Sequence, residues 1–217
     1  MSQYPKKYKE PLHSEVSILN PQILNILNES ADLGFFTENS IIHYDSKDYE
    51  KESIEHTKND NLVKFKNQKQ IIKYKCNTFG DNTPGGINFY NKLVPIIGDG
   101  YEGPRTSLYN PRGYIGWHKD DSYKTYLLAF MYCVGNPDGF YSWEDRETGE
   151  IQTIIEKPGW TCRSSVHIDN NTSEWHACKT NTPKILLGFT YPNYTDFLKA
   201  KEIVHSDKYN YETIKPI

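Results

Sequence analysis

The chain of 217 residues is poor in cysteine, in uninterrupted apolar runs and in net charge, and each shortage excludes something. Its four cysteines (76, 133, 162, 178) form no Cys-x-x-Cys pair. That argues against a cysteine-ligated zinc or a disulfide framework, and a chain of this length can build a core without staples. Reduced thiols, and hence a cytoplasmic location, are the expectation. No apolar run approaches the length of a membrane span, and the opening Met-Ser-Gln-Tyr-Pro-Lys-Lys has no apolar signal region. No membrane association is expected. Lys plus Arg number 25 against 28 Asp plus Glu, so a net charge of −3 speaks against a globally electrostatic nucleic-acid binder. A local basic groove stays open.

What is present is a soluble, aromatic-rich composition. Hydrophobic residues make up 36% and aromatics 14%, which is too much for a disordered chain. A single domain is expected over 1–217. Residues 1–13 are polar and read as a loosely held arm. Residues 14–100 read as a helix-and-strand support. Within it, Asn20-Pro21 predicts a helix start, with Asn as N-cap, Pro at the first helical position, and Ile23, Leu24, Ile26 and Leu27 on one face. Asn82–Gly86 reads as a loop, and Ile87–Ile97 as a helix stopped by Gly98. The lysine-rich stretch 51–75 reads either as a solvated face beside a strand at Ile71–Tyr74 or as a substrate-facing basic patch.

From Tyr101 to about Pro192, short β-rich runs alternate with Gly, Pro, Asn and Asp clusters. The runs are Ser107–Tyr109, Tyr114–Asp120, Thr125–Val134, Gly139–Trp143, Glu150–Glu156, Trp160–Ser164 and Lys184–Tyr191. This rhythm predicts a mainly β core with flanking helices, a sandwich or barrel. The acidic stretch Trp143–Gly149 reads as an exposed turn. A helix over Tyr194–Val204 and a polar tail close the chain, residues 193–217.

The chemistry concentrates at Gly116-Trp117-His118-Lys119-Asp120. In a strand, residues i and i+2 share a face, so His118 and Asp120 stand side by side. A distant histidine would complete a two-histidine, one-carboxylate set, which suits ferrous iron and leaves coordination positions open. Two candidates exist, His176 and His167. His176 is favoured because Lys184 follows it at the head of the apolar strand Ile185–Tyr191, whereas His167 runs into the polar loop Asp169–Ser173.

On these residues, the stretch from about 105 to 192 resembles the iron(II)- and 2-oxoglutarate-dependent dioxygenases, whose core is a double-stranded β-helix (jelly roll). The resemblance implies iron(II) held by His118, Asp120 and His176. It also implies 2-oxoglutarate as co-substrate, anchored by Lys184 through its far carboxylate, with dioxygen as oxidant and ascorbate as an accompanying reductant. A Lys offers that carboxylate a mobile point charge where an Arg would offer a fork. Ser107-Leu108-Tyr109 lies where the alkylation-repair members carry Asn-x-Tyr, making Tyr109 a candidate 2-oxoglutarate contact, with Ser107 in place of the Asn. Tyr132 resembles the strand tyrosine of prolyl-hydroxylase-like members. Each tyrosine could equally be core packing, because both faces of Thr125–Val134 are apolar. Lys157-Pro158-Gly159-Trp160 matches the family's turn before the strand leading to the distal histidine. Arg163 could point inward to substrate or outward to solvent.

Implied is a hydroxylase acting on a C–H bond of a protein side chain or an amino-acid-like substrate. The presence of Asp120 separates it from related halogenases, which lack that carboxylate. A nucleic-acid base oxygenase or demethylase of the same superfamily is the alternative, drawing on 51–75 and Tyr109. A non-catalytic jelly-roll binding module is the third. Asn-, Lys- and Ile-rich usage suits an AT-rich genome, viral or bacterial.

Overall fold

The structure, a computed structural model, describes residues 13–29, 76–79, 84–98, 105–109, 114–118, 125–145, 148–167 and 175–207. The backbone alone is described for 76–79, 84–87, 105–108, 114–118, 125 and 167. The described chain is mainly β, with two antiparallel sheets and three helices.

The strands are β1 (His13–Val16), β2 (Cys76–Phe79), β3 (Arg105–Tyr109), β4 (Tyr114–His118), β5 (Thr125–Cys133), β6 (Phe140–Glu144), β7 (Ile151–Ile155), β8 (Gly159–His167), β9 (His176–Lys179) and β10 (Lys184–Tyr191). The helices are α1 (Pro21–Glu29), α2 (Pro84–Ile97) and α3 (Tyr194–His205). One sheet has six strands in the order β1-β8-β5-β10-β3-β2, and the other has four in the order β4-β9-β6-β7. Between β3 and β10 the chain changes sheet at every step except β6 to β7. Every pairing is antiparallel.

Helix α1 begins where Asn20-Pro21 predicts. The Asn20 side-chain oxygen accepts from the amides of Gln22 at 3.0 Å and Ile23 at 3.1 Å, satisfying two of the helix's orphan donors. Helix α2 starts at Pro84, three residues before the expected Ile87, so Pro84–Gly86 are its first turn and not a loop. Proline suits that first turn because its missing N–H would have had no partner there. Gly98 ends α2 at φ +84°, donating its amide to the Val94 carbonyl at 2.9 Å. No helix among the described residues is long and apolar enough to cross a membrane.

Strand parity then decides what each face of the six-stranded sheet meets. Tyr126, Leu128 and Phe130 of β5 and Ile185, Leu187, Phe189 and Tyr191 of β10 point to one side. They pack there with Ile23 and Leu27 of α1, Phe89 and Leu93 of α2, and Phe197, Ala200 and Val204 of α3. At roughly 25 cal/mol per Å² of apolar surface, this sheet–helix layer is the main source of stability. Two side-chain bonds tie it together: Trp160 Nε1 donates to the Leu27 carbonyl at 2.9 Å, and Tyr191 Oη donates to the Ile97 carbonyl at 3.2 Å. The opposite face of the sheet meets the four-stranded sheet, and the candidate site lies between them.

Three short strands, β1, β2 and β9, escape the sequence pattern. β1 opens at His13, inside the stretch read as an arm, and pairs with β8 from His13↔Ser165 to Val16↔Cys162. β9, His-Ala-Cys-Lys, has too little alternation to announce a strand. Strands β1 and β2 also carry the six-stranded sheet back before residue 101. The stretch expected as an exposed turn over Trp143–Gly149 is divided. Trp143 and Glu144 belong to β6 and are partly buried, whereas Thr148–Glu150 are exposed. The reversal is built by Gly149 at φ +72°, whose amide reaches the Asp145 carbonyl at 2.7 Å. The expected strand at Ile71–Tyr74 and the lysine-rich stretch 51–75 lie outside the described residues.

Candidate functional site

The four-stranded sheet places two of the sequence-predicted histidines in register. β4 pairs with β9 so that His118 stands opposite His176, beyond an irregularity that follows Ile115. Directly opposed residues in an antiparallel ladder have Cα atoms about 4.5–5.5 Å apart. His167, the competing candidate, ends β8 in the other sheet, opposite Thr125. Asp120 lies outside the described residues. Among the described residues no group of three His, Cys, Asp or Glu side chains is gathered at metal-ligating distance.

Around the buried His176 stands a cluster of rings. His176 is opposite Trp143 of β6 in register. Its ring lies 5.8 Å from Tyr141 and 6.1 Å from His13. His13 is 5% exposed and packs 5.3 Å from Trp143. Its Nδ1 shares a hydrogen bond with Tyr141 Oη at 3.2 Å. So β1 delivers a second histidine to the cluster around His176, one the sequence reading assigned to a loose arm.

On the facing six-stranded sheet sits a buried charge cluster. Lys184 opens β10, opposite Tyr109 on β3 and Cys133 on β5. Its side chain is 1% exposed. The ammonium lies 4.3 Å from the centre of the Tyr109 ring, so the strand register brings these two predicted residues together. Lys184 Nζ also donates to Glu156 Oε1 at 2.6 Å. The same oxygen accepts from Arg163 Nη2 at 3.2 Å. The other carboxylate oxygen accepts the Cys133 thiol at 3.6 Å. Burial, reinforced by Glu156, pushes the Cys133 thiol up to about 12, so it is a protonated donor.

Glu156 is the residue the sequence reading missed. It sits between β7 and the Lys157–Gly159 turn, and its amide donates to the Gly139 carbonyl at 2.9 Å. Gly139 closes behind it: a Cβ there would lie 2.8 Å from Glu156 Oε2 and would collide with the Lys179 carbonyl. The one weak signal was position: Glu156 follows the apolar pair Ile154-Ile155 and directly precedes the Lys157-Pro158-Gly159 turn.

Arg163 points inward. Its guanidinium carbon lies 4.3 Å above the Tyr141 ring, its Nε and Nη2 lie against Met131 Sδ, and its side chain is 11% exposed. Through Tyr141 it joins the charge cluster to the histidine cluster. Its Nη1 is buried and has no hydrogen-bond partner among the described residues. The three charged groups sum to one net positive charge in a nearly dry setting.

Tyr132 does not join them. Its β5 position is opposite Ile185, one residue out of phase with Lys184. Its ring packs 5.2 Å from Trp160 in the helix-side layer. Of the two expected tyrosines, Tyr109 reaches Lys184 and Tyr132 is core packing.

No protein-family model matches this chain, and no curated protein matches it. Among solved structures, a Pseudomonas putida prolyl-4-hydroxylase is similar at 9% identity, covering 84% of this chain and 94% of that chain, with a TM-score of 0.47. A carbohydrate-binding module of the Cellvibrio mixtus lichenase 5A, in complex with cellotriose, is 14% identical over 43% of this chain and 82% of that chain, with a TM-score of 0.24. A mutant family 29 carbohydrate-binding module is 16% identical over 42% and 70%, with a TM-score of 0.23. These likenesses assign no activity.

Proposed function

We propose that the protein is an iron(II)- and 2-oxoglutarate-dependent oxygenase, built on a double-stranded β-helix, that hydroxylates a C–H bond of a protein side chain or an amino-acid-like substrate. The observation that carries the reading is the register of His118 against His176, across from a buried cation cluster on the facing sheet. The residues suit the cofactor pair in kind: imidazoles are good iron ligands, and a net positive, nearly dry cluster with an unpartnered donor suits a carboxylate. The repeated crossing of the chain between sheets supports the same architecture.

In this reading His118, Asp120 and His176 hold the iron. The bound iron, with 2-oxoglutarate and dioxygen, supplies oxidation of the C–H bond coupled to decarboxylation of 2-oxoglutarate to succinate. The chain's own residues do the rest. His13, Tyr141 and Trp143 pack around His176, limiting its rotation and excluding water from it. Lys184 and Arg163 supply positive charge to a dicarboxylate, and Tyr109 stiffens the Lys184 end. The lysine-rich stretch behind the nucleic-acid alternative lies outside the described residues, and no observation favours that alternative.

The test is iron- and oxygen-dependent formation of succinate from 2-oxoglutarate, with ascorbate present. Wild type is expected to turn over, and His176→Ala to fall to background while keeping its near-UV dichroism. Absence of iron binding in wild type, or undiminished turnover in His176→Ala, would overturn the assignment. A wild type that binds but never turns over would point to the non-catalytic module.

A further inference from the structure

We propose that the outer edge of β7 pairs with the same edge of a second copy of this chain, joining two four-stranded sheets across a twofold axis at Thr153. The inference is independent of the oxygenase reading. β7 ends its sheet, and among the described residues no strand lies on its far side. The direction of its backbone groups follows from two bonds. The Glu156 amide donates to the Gly139 carbonyl at 2.9 Å, and the Glu150 carbonyl accepts from the Asp145 amide at 2.8 Å. In an antiparallel ladder such hydrogen-bonded pairs alternate with non-bonded ones. Glu150, Gln152, Ile154 and Glu156 therefore turn their amides and carbonyls to β6, and Ile151, Thr153 and Ile155 turn theirs to the open edge. The 2.8 Å contact between the Ser142 and Thr153 hydroxyls fits, since side chains approach more closely at non-bonded pairs.

The same strand carries the apolar exposure. Ile151 is 45% exposed and Ile155 62%, and among the described residues Leu19 alone joins them as an exposed large hydrophobic. Open edges are ordinarily guarded by charge or proline. β1, which ends the other sheet, carries the exposed acid Glu15. Ile151-Gln152-Thr153-Ile154-Ile155 has neither charge nor proline. The strand is also its own complement. With Thr153 on a twofold axis, Ile151 of one copy stands opposite Ile155 of the other on both sides of the axis, and Thr153 stands opposite itself. These are the residues whose backbone groups face the edge, so each apolar pair coincides with a hydrogen-bonded pair, giving about six bonds between the copies. The reversal at Gly149 and the Lys157–Gly159 turn limit the ladder to these pairs. An extended peptide could take up the backbone bonds as well, but only a second copy sets isoleucine against isoleucine at both ends of the ladder.

A strand of 5 residues makes a contact below the standard interface of about 1,600 Å², so a reversible dimer is expected. Sedimentation equilibrium on the full chain should give a Kd of about 1–100 µM. Ile151→Lys combined with Ile155→Lys sets like charges opposite each other twice. It should weaken the dimer by at least about 100-fold and leave the near-UV dichroism unchanged, because both positions are exposed. Ile151→Glu combined with Ile155→Lys sets opposite charges against each other in the same register, and should return the affinity to within about tenfold of wild type. In wild type, raising the concentration should slow hydrogen exchange at the Ile151, Thr153 and Ile155 amides and leave Gln152 and Ile154 unchanged. Should the double lysine variant fail to fold, Ile155→Lys alone carries the test, with a loss of about tenfold expected. A wild type that stays monomeric at about 1 mM overturns the proposal. So does a dimer that survives both lysines, or one that the opposite-charge variant fails to restore. A monomeric wild type that melts higher than the double lysine variant also overturns it, and assigns the edge to a segment of the same chain.

Discussion

Replacing Glu156 by Gln should destabilise the protein far more than replacing Lys184 by Met, although the two residues form one ion pair. Glu156 Oε1 is 2.6 Å from Lys184 Nζ and 3.2 Å from Arg163 Nη2, so the two cations are held within about 6 Å of each other by a shared anion. Gln keeps the shape and removes the charge, and the cluster goes from one net positive charge to two. Two like charges at about 6 Å repel by about 3 kcal/mol at an effective dielectric of 20. Removing one partner of a buried pair costs about 3–5 kcal/mol in general, and the side chains here are 4% and 1% exposed, so solvent offers little relief. Lys184→Met is a different perturbation. Glu156 keeps Arg163, the remaining pair is neutral, and Met nearly fills the lysine volume, so a cost of about 1 kcal/mol or less is expected. The double variant restores one net positive charge and should be more stable than Glu156→Gln alone. Urea unfolding at 25 °C with an unchanged m-value measures all three. Added salt should not rescue Glu156→Gln, because the charges are buried. Equal costs for the two single variants, or strict additivity in the double, would refute the three-charge account.

Three further outcomes follow from single contacts. Gly139→Ala sets a methyl against the Lys179 carbonyl and 3.0 Å from the Thr180 Cα, and backbone cannot swing away. A loss of about 1–3 kcal/mol and a melting temperature lower by several degrees are expected, and unchanged melting would show that the strand ends shift freely. Asn20→Ala removes the cap of α1 and should cost about 1 kcal/mol, with faster hydrogen exchange at the Gln22 and Ile23 amides; unaltered exchange there would sink the capping assignment. Burial raises Cys133 from an ordinary 9.0 to about 12 and raises Cys162 as well. A raised folded value means the unfolded chain releases its protons first. The stabilisation is therefore complete below pH 9 and declines as pH climbs from 9 towards 12. Urea midpoints should fall across that window, and at pH 8 iodoacetamide should modify both thiols only in unfolded protein, as read by mass spectrometry; rapid labelling of the native chain would contradict the burial.

The parts of the fold legible in the sequence were those with a strong local pattern. The cap at Asn20, the apolar run Thr125–Val134 and the run Lys184–Tyr191 each announced an element that the structure contains. β1 and β9 were illegible because each has four residues, mostly polar or small, and takes its strand geometry from partners already in place. The site divides in the same way. In the sequence, His118 and His176 stood out by motif and spacing, and Lys184 and Tyr109 by the family resemblance. His13 and Tyr141 are 128 positions apart in the chain, and only the closure of one sheet over the other brings them together.

Tyr132 and Lys184 show why a single parity decision governs the whole site. β5 has two apolar faces, so the sequence of that strand is compatible with either orientation. β10 is less permissive. Its alternate residues Ile185, Leu187, Phe189 and Tyr191 form one continuous apolar face, and Lys184 stands out of phase with them. Slipping β10 by one residue would drive Lys184 into the helix-side layer among Phe89, Leu93 and Phe197, away from Glu156. An unpaired ammonium there would cost several kcal/mol or more. Because β10 pairs with both β3 and β5, its register fixes theirs. That register puts Tyr109 and Cys133 beside Lys184 and turns Tyr132 to the helices. The buried charge that adds little net stability is thus what excludes the alternative pairing, and the same lysine that marks the site in the sequence aligns the three strands that build it.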